Sequence, residues 1–272
     1  MNYTNLEEKN KEVLGHKTIN TKIEANAMAY QFDGFLGKKG NVEKRLIFRG
    51  VREAKYRMQT SSQRNWEKKE YNSYDNYLQY LLTTFKNNNG NIKSKYFTEL
   101  GELKNISCFS FMQHHGMPTP LIDFSYNPFV ALYFACKNNI NVVLNNDIND
   151  ITNYCSIYFI WPQWLISNGY VKIIEEIDLD NLQEGVYQIT DEDKIYNNDN
   201  IVAQEGLFVI NTASENDIHR LFKIEDEKNN QLEKIDQKFF GCYNIHKSFA
   251  PDILFWLSKN KMIDNERLFP QQ

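Results

Sequence analysis

Apolar residues recur along this chain with two different spacings, which predict helices in some segments and strands in others. Between Tyr74 and Lys86 they return every three or four positions, so one apolar stripe is expected on a helix. A second helix is predicted over about 105–115. The apolar run 129–136 directly follows Asn127 and Pro128, a favourable N-cap and first helical residue, and predicts a buried helix.

The second half of the chain is dominated by short segments rich in β-branched and aromatic residues. Strands are predicted at 155–161, 185–189, 206–210 and 239–245, after one early strand at 42–50, and a last helix is predicted at about 251–260. The fold class expected is α+β. Helices mainly from the first half would pack on a mostly antiparallel sheet from the second half, in a single domain over 26–272.

Two polar segments are expected to lie outside this core. Residues 1–25 are charged and weakly patterned, which favours an N-terminal tail or a loosely docked helix. Segment 51–73 is almost wholly polar and predicts a long loop or the start of an exposed helix.

Composition and charge exclude several classes of protein. With 42% hydrophobic and 24% charged residues the chain is not globally disordered. A net charge of −4 disfavours non-specific nucleic-acid binding. No apolar run is long enough to span a membrane, the first residues do not resemble a signal peptide, and the four cysteines lack zinc-ligand or disulfide spacing. A soluble cytoplasmic protein with buried, reduced cysteines is expected.

The first candidate for chemistry is Phe48-Arg49-Gly50, at the end of the early strand. The guanidinium of Arg49 is suited to hold a phosphate or carboxylate, and Gly50 would allow a ligand to approach the backbone closely. The alternative is a surface arginine beside an ordinary turn glycine.

The second candidate is the segment 113–125, which is dense in polar and conformationally restricted residues. His114 and His115 are potential acids, bases or donors, and Thr119, Asp123 and Ser125 follow closely. The alternative is that the histidines form structural hydrogen bonds and Asp123 orders the turn before Asn127. No metal is expected, because neither histidine has a partner at metal-ligand spacing.

The third candidate is the pair Gln204-Glu205, immediately before the predicted strand at 206–210. Such a pair can bind ribose hydroxyls or polarise a leaving group, although a solvated strand entrance explains it equally well. Aromatic residues flank all three stretches and are suited to wall a pocket for a flat ring: Phe48, Phe124, Tyr126 and Phe208.

Together these stretches resemble the FRG domain family, which is named after its Phe-Arg-Gly motif. The resemblance rests on LIFRG, QHHGMPTPLIDFSYNPFVALYFA, QEGLF and a terminal LFP, and runs from about Leu46 to Pro270. The family pattern usually has Arg where Pro120 stands and Trp where Phe124 stands. The family is known mainly from bacterial and phage genomes, so the resemblance implies a bacterial or phage protein related to toxins or defence.

The order of these elements also resembles the Arg-Ser-Glu type of ADP-ribosyltransferase. This resemblance implies an NAD-dependent ADP-ribosyltransferase or NAD glycohydrolase. Arg49 and Gly50 would then bind the NAD phosphates, while His114, Thr119, Asp123, Ser125 and Gln204 would position the cofactor. Glu205 would stabilise the ribose cation, and His115 would bind the ribose. The sequence has no Ser-Thr-Ser, and Gln204-Glu205-Gly206 matches the Glu-x-Glu pattern only in part.

Two other classes of function use the same residues. In one, a non-catalytic module binds a nucleotide or another partner through Arg49, His114, His115 and Asp123. In the other, a hydrolase uses His115 and Asp123 as a general-base pair, which requires a hydrogen bond between their side chains. The expected ligand is a nucleotide or dinucleotide, with NAD as the candidate cofactor, although the binding module could instead take a nucleic acid or a protein partner.

Overall fold

The strands of the chain come from both halves of the sequence and meet in one sheet. The computed structural model describes residues 2–13, 15–36, 46–66, 70–88, 105–174, 177–180, 183–189, 199–228 and 240–270. The strands in these ranges are β1 (Gly15–Ile19), β2 (Ile47–Val51), β3 (Leu121–Ser125), β4 (Tyr154–Ile160), β5 (Lys172–Ile174), β6 (Val186–Ile189), β7 (Gly206–Asn211) and β8 (Phe240–His246). Their order across the sheet is β1-β8-β4-β2-β3-β7-β6-β5.

The sheet is mostly antiparallel, as the sequence predicts. Parallel pairs occur only at the two edges among the described strands, between β1 and β8 and between β5 and β6. All the inner pairs are antiparallel. The fold is therefore of the mixed α+β class in a single domain, although β1, β2 and β3 come from the first half of the chain.

Helices cover the sheet. They are α1 (Leu6–Glu12), α2 (Lys22–Leu36), α3 (Ser61–Asn65), α4 (Tyr74–Asn88), α5 (Asn105–His114), α6 (Pro128–Cys136), α7 (Pro162–Ser167), α8 (Asp199–Ala203), α9 (Ile218–Lys228), α10 (Ala250–Asn260) and α11 (Asn265–Leu268). The predicted helices at 74–86, about 105–115, 129–136 and about 251–260 correspond to α4, α5, α6 and α10. Within the described part of the chain, no helix has both the length and the apolar character needed to cross a membrane.

Helix α6 lies at the centre of the core, and its start is fixed by its first residues. The Oδ1 of Asn127 accepts a hydrogen bond from the backbone N–H of Phe129 at 3.0 Å, and Pro128 occupies the first turn. Nearly all of its side chains are buried, because the helix packs on β2 and β4 between α2 and α10. Its burial agrees with the run of apolar residues in the sequence.

The N-terminal segment is integrated more closely than the predicted tail. Residues 15–19 form β1, which extends the sheet by pairing with β8, and the side chains of Val13 and Ile19 are fully buried. The ammonium of Lys9, on α1, is also buried and donates to the carbonyl of Ala54 at 2.9 Å. The charged residues of this segment predicted a tail or a loosely docked helix, but one of them, Lys9, is buried in the protein.

The polar segment 51–73 forms part of a buried hydrogen-bond network in the described residues. Thr60 caps α3 through a capping box with Gln63, and both side chains are buried. Gln63 also donates to the carbonyl of Ala213 at 2.6 Å. A short polar helix therefore ties this segment to the loop after β7.

Candidate functional site

A cavity of about 400 Å³ lies over the middle of the sheet. Strands β2 and β3 contribute to its wall together with helices α5, α6 and α8. Its lining residues are Phe48, Arg49, Gly50, Ser110, Gln113, His114, Asp123, Phe124, Ser125, Val130, Ala131, Phe134, Asn200, Ile201, Gln204, Phe208 and Phe269. The cavity therefore collects residues from all three stretches singled out in the sequence.

Arg49 connects the first two stretches. The Nη1 of Arg49 donates to the backbone carbonyl of Asp123 at 2.7 Å and lies 3.8 Å from the carboxylate of the same residue. The side chain of Arg49 is 25% exposed. Burial lowers the pKa of this guanidinium, the nearby Asp123 charge opposes that effect, and the positive charge of Arg64 adds to it. The guanidinium is thus held at the cavity wall by the backbone carbonyl of Asp123 on the neighbouring strand, with the carboxylate of the same residue nearby.

The carboxylate of Asp123 is fixed from its other side. The Nε2 of Gln113 donates to Asp123 Oδ1 at 3.0 Å, and the hydroxyl of Thr119 donates to Gln113 Oε1. Thr119 is fully buried and is not among the lining residues. In the structure it orients Gln113 and does not reach the cavity wall itself.

Ser125 and Gln204 line the cavity, but their polar atoms are largely engaged in holding the fold. The hydroxyl of Ser125 donates to the carbonyl of Gln204 at 2.6 Å and accepts from the backbone N–H of Asn127 at 2.9 Å. The Nε2 of Gln204 donates to the carbonyl of Leu268 at 3.0 Å. These bonds join the end of β3, the start of α6 and the approach to β7.

Gly50 is required by helix packing as well as lining the cavity. A Cβ atom at this position would lie 1.9 Å from the carbonyl oxygen of Ala131 and 2.7 Å from the backbone nitrogen of Ala135. The glycine therefore lets α6 approach β2 closely. The interpretation of Gly50 as a residue that admits a ligand misses this stronger structural requirement.

The two adjacent histidines have different surroundings. His114 lines the cavity, whereas His115 does not. The ring of His115 is exposed, stacks on Phe111 at 4.1 Å between centroids, and its Nδ1 lies 3.0 Å from the Phe111 carbonyl. The structure therefore places His114, and not His115, at the cavity that Arg49 also lines.

The carboxylate of Glu205, like the ring of His115, does not line the cavity. Its Oε1 accepts a hydrogen bond from Asn127 Nδ2 at 2.9 Å, and its backbone carbonyl accepts from the N–H of Tyr126 at 2.9 Å. Its φ is +46°, an unusual value for a residue with a side chain. Glu205 stabilises the N-terminus of α6 and is not among the residues that line the cavity.

The general-base pair required by the hydrolase hypothesis is not formed. Among the described contacts, Asp123 is bonded to Gln113 and paired with Arg49, and the His115 ring nitrogen is near a backbone carbonyl. In the described residues no group of three or more His, Cys, Asp or Glu side chains is arranged to hold a metal ion.

Aromatic rings form much of the cavity wall. Phe48, Phe124 and Phe208 are among the lining residues, as the sequence suggested, whereas Tyr126 is not. Asn200, Ser110, Phe134 and Phe269 also line the cavity and were not predicted from the sequence. Asn200 precedes Gln204 by one helical turn on α8, and this spacing was the available signal for it.

The comparisons with known proteins identify one family. Residues 44–142 match the model of the FRG domain. No curated protein matches the chain, and no solved structure does. The matched range is less than half of the 272 residues and contains β2, β3 and α6, but it ends before α8 and β7. This segment, which carries the Arg49 and Asp123 side chains of the cavity, is therefore similar to the FRG domain.

Proposed function

We propose that the cavity over β2 and β3 binds a nucleotide, with NAD as the candidate ligand. The observation that carries this proposal is the position of Arg49, at the wall of a cavity otherwise rich in aromatic rings. An arginine beside apolar rings suits a molecule with a phosphate at one end and a flat base at the other. The volume of about 400 Å³ is in the usual range for small-ligand sites.

The guanidinium of Arg49 has capacity to bind such a ligand. Arginine carries five N–H donors, and the hydrogen bond from Nη1 to the Asp123 carbonyl is the only one this side chain makes to the described residues. Within the described part of the chain the remaining donors form no hydrogen bond, so they can serve a phosphate. Asp123 keeps the guanidinium in place, although its negative charge reduces the net positive charge that a phosphate would meet.

NAD cleavage or ADP-ribosyl transfer is the activity that this site would support. In such a reaction the bond from the ribose C1′ to nicotinamide breaks, the electron pair leaves with nicotinamide, and an acceptor then bonds to C1′. A carboxylate stabilises the positive charge that develops on the ribose. Among the described lining residues the carboxylate is Asp123, with 61% of its side chain exposed. Asp123 therefore replaces Glu205 in this proposal.

The test is to incubate the protein with NAD while following both its unfolding temperature and the release of nicotinamide. Wild-type protein is expected to be stabilised by NAD, because a ligand that binds only the folded state raises the unfolding temperature. Arg49→Ala should lose this stabilisation, whereas Arg52→Ala, an exposed arginine outside the cavity, should keep it. If Asp123 serves the reaction, Asp123→Asn will release less nicotinamide while still binding NAD.

The results separate the two classes of function. Stabilisation by NAD without nicotinamide release would favour a nucleotide-binding module over an enzyme. No stabilisation by NAD or ADP-ribose would contradict the proposal altogether. A role as a bacterial toxin or phage-defence effector predicts that expression slows bacterial growth, and that Arg49→Ala relieves this effect.

A further inference from the structure

One side chain of β3 differs from its neighbours in exposure. The other four residues of the strand are buried, whereas Asp123, in the middle, keeps 61% of its side chain exposed. Asp123 lines the cavity, and so do the two residues beside its carboxylate, Arg49 and Gln113. The carboxylate therefore lies at the cavity wall, between two other lining residues.

The carboxylate of Asp123 has acceptor capacity that the described residues leave unused. A carboxylate offers about four lone-pair positions on its two oxygens. The Nε2 of Gln113 donates to Oδ1 at 3.0 Å, and the Nη1 of Arg49 lies 3.8 Å from Oδ2, which is too far for a hydrogen bond. Within the described part of the chain the side-chain oxygens accept no other hydrogen bond, so they can accept donors from a ligand.

The amide of Gln113 is oriented by a buried hydroxyl. The Oγ1 of Thr119 accepts from the backbone N–H of Leu121 at 3.4 Å and donates to the Oε1 of Gln113. Because Oε1 is the acceptor in that bond, the amide NH₂ group of Gln113 is the end that faces Asp123. The carboxylate is therefore held in place by a group that can only donate to it.

We propose that Asp123 is a specificity-determining residue that accepts hydrogen bonds from the ribose hydroxyls of a nucleotide whose 5′-phosphate binds Arg49. A guanidinium and a carboxylate side by side suit a ligand that carries an anion next to hydroxyl donors, and a ribose 5′-phosphate has both. Gln113 is a positioning residue, since it holds the carboxylate that the hydroxyls meet. This inference rests on the proposed nucleotide function and narrows the ligand to ribonucleotides.

The experiment measures by calorimetry how much the ribose hydroxyls contribute to binding. AMP and nicotinamide mononucleotide, the two halves of NAD, are each compared with the form that lacks the 2′- and 3′-hydroxyls. Wild-type protein is expected to bind at least one of them about tenfold or more tightly than its dideoxy form, because hydrogen bonds to a charged acceptor are lost. The half that shows this preference is the one that lies against Arg49 and Asp123.

Variants then assign the preference to Asp123. Asp123→Ala should bring the two affinities to within about twofold of each other. It should bind the dideoxy form at least as tightly as wild-type protein does, because a negative charge near the phosphate is removed. Asp252→Ala, at an exposed position on α10 outside the cavity lining, should keep the wild-type preference. Unfolding temperatures show whether each variant is folded.

A further variant tests the positioning role of Gln113. Gln113→Glu keeps the shape of the side chain and the acceptor for Thr119, but it places a second carboxylate where the donor to Asp123 stood. The preference for the ribose form should fall by about threefold or more in a protein that still unfolds cooperatively. An unchanged preference in Gln113→Glu would remove Gln113 from this role.

Failure of the inference can be told apart from failure of the proposed function. If wild-type protein binds NAD but prefers the hydroxyl-bearing member of neither pair, Asp123 does not read the ribose and the proposed nucleotide site stands. The same conclusion follows if Asp123→Ala keeps the wild-type preference. If wild-type protein binds neither NAD nor either mononucleotide, the proposed function fails and the inference fails with it.

Discussion

Gly50 shows how one residue joins the fold to the candidate site. It stands next to Arg49 on β2, and its missing side chain allows the backbone of α6 to lie against the strand. Because α6 also supplies Val130, Ala131 and Phe134 to the cavity, the same glycine determines the position of one cavity wall. The two roles of the motif are therefore divided between Arg49, which lines the site, and Gly50, which allows the helix to approach.

We expect Gly50→Ala to destabilise the protein by about 3 kcal/mol or more, because the new methyl group would overlap backbone atoms that cannot rotate away. The free energy of unfolding in urea measures this effect. The matched control is Gly34→Ala on α2, where a Cβ atom would have no neighbour within 4 Å. That change should stabilise the protein by ~0.5–1 kcal/mol, since alanine favours a helix more than glycine does. Equal effects of the two substitutions would contradict the packing role of Gly50.

Asn127 and Glu205 form the second pair of residues whose role is structural. The Asn127 side chain accepts from the backbone of α6 and donates to the Glu205 carboxylate. We expect Asn127→Ala to cost about 1–2 kcal/mol in unfolding free energy, because it removes the helix cap and a hydrogen bond to a charged group. Glu205→Gln, which keeps an acceptor oxygen for Asn127, should cost less. If Glu205→Gln instead abolishes nicotinamide release at unchanged stability, Glu205 acts in catalysis.

At the scale of elements, helix α1 is held by a buried charge. The Lys9 ammonium donates to Ser156 Oγ at 2.7 Å, to Asn244 Oδ1 at 2.8 Å and to the Ala54 carbonyl at 2.9 Å. Burial lowers the pKa of Lys9 to about 8, from an ordinary value of 10.5. The helix is therefore docked by a group that is costly to keep charged in the folded protein.

This arrangement predicts a defined pH dependence of stability. Between pH 8 and pH 10.5 the unfolded chain holds the Lys9 proton more tightly than the folded chain, so unfolding free energy should rise with pH in this window. The rise from this group should approach about 3 kcal/mol. It is measured as the difference between wild-type protein and Lys9→Met, with the exposed Lys11→Met as control. Parallel pH profiles for wild-type protein and Lys9→Met would show that burial of Lys9 does not cause the rise.

Helix α9 carries a second buried titratable group. His219 is 2% exposed and packs against Phe240, with ring centroids 4.4 Å apart. Burial lowers its pKa well below the ordinary value, and the positive charges of Lys9 and Arg57 add to this effect while Glu12 opposes it. The folded protein therefore keeps His219 neutral where the unfolded chain becomes protonated.

The free energy of unfolding should therefore decrease at acidic pH because of His219. As the pH falls below about 6.5 the unfolded chain takes up a proton that the folded chain does not, so the free energy of unfolding should fall progressively with pH. Urea unfolding at several pH values measures it. His219→Phe should remove this part of the pH dependence, whereas His16→Gln, at an exposed position, should not. An unchanged profile for His219→Phe would exclude His219 as the cause.

Elements with a clear local pattern could be predicted from the sequence, and elements determined by long-range contacts could not. Spacing and composition predicted the apolar stripe of α4, the N-cap of α6 and the aromatic strands β4 and β8. Strand β1 was missed because GHKTI carries polar residues and owes its place to pairing with β8, far along the chain. The burial of Lys9 could not be predicted, because it lies among other charged residues of α1 and its partners lie far along the chain, on β4 and β8.

The same distinction applies to the candidate site. Arg49, His114 and Asp123 were identified because their motifs are unusual in the sequence, and the structure places all three at one cavity. Glu205 and Asn200 are close in sequence, but only Asn200 lines the cavity. The local backbone decides between them, since the positive φ of Glu205 and its bond to Asn127 turn its carboxylate toward α6. No spacing rule in the sequence shows that turn.

At the scale of the whole molecule, sheet order explains why distant stretches form one site. Strands β2, β3 and β7 are neighbours in the sheet, although they are far apart in the chain. Phe48 pairs with Ser125, and Ser125 pairs with Gly206, directly after Gln204 and Glu205. The candidate site therefore requires strands from inside and outside the matched FRG range, and we expect a fragment limited to 44–142 to lack a complete cavity.

The most direct test of the central claim is calorimetric titration of NAD into wild-type protein, Arg49→Ala and Arg52→Ala, each first shown to be folded by its unfolding transition. Wild-type protein and Arg52→Ala are expected to bind NAD with similar affinity. Arg49→Ala should bind at least about tenfold more weakly, because it loses charge-assisted hydrogen bonds to the phosphates. Equal affinity of wild-type protein and Arg49→Ala, or no binding of NAD to wild-type protein, would contradict it.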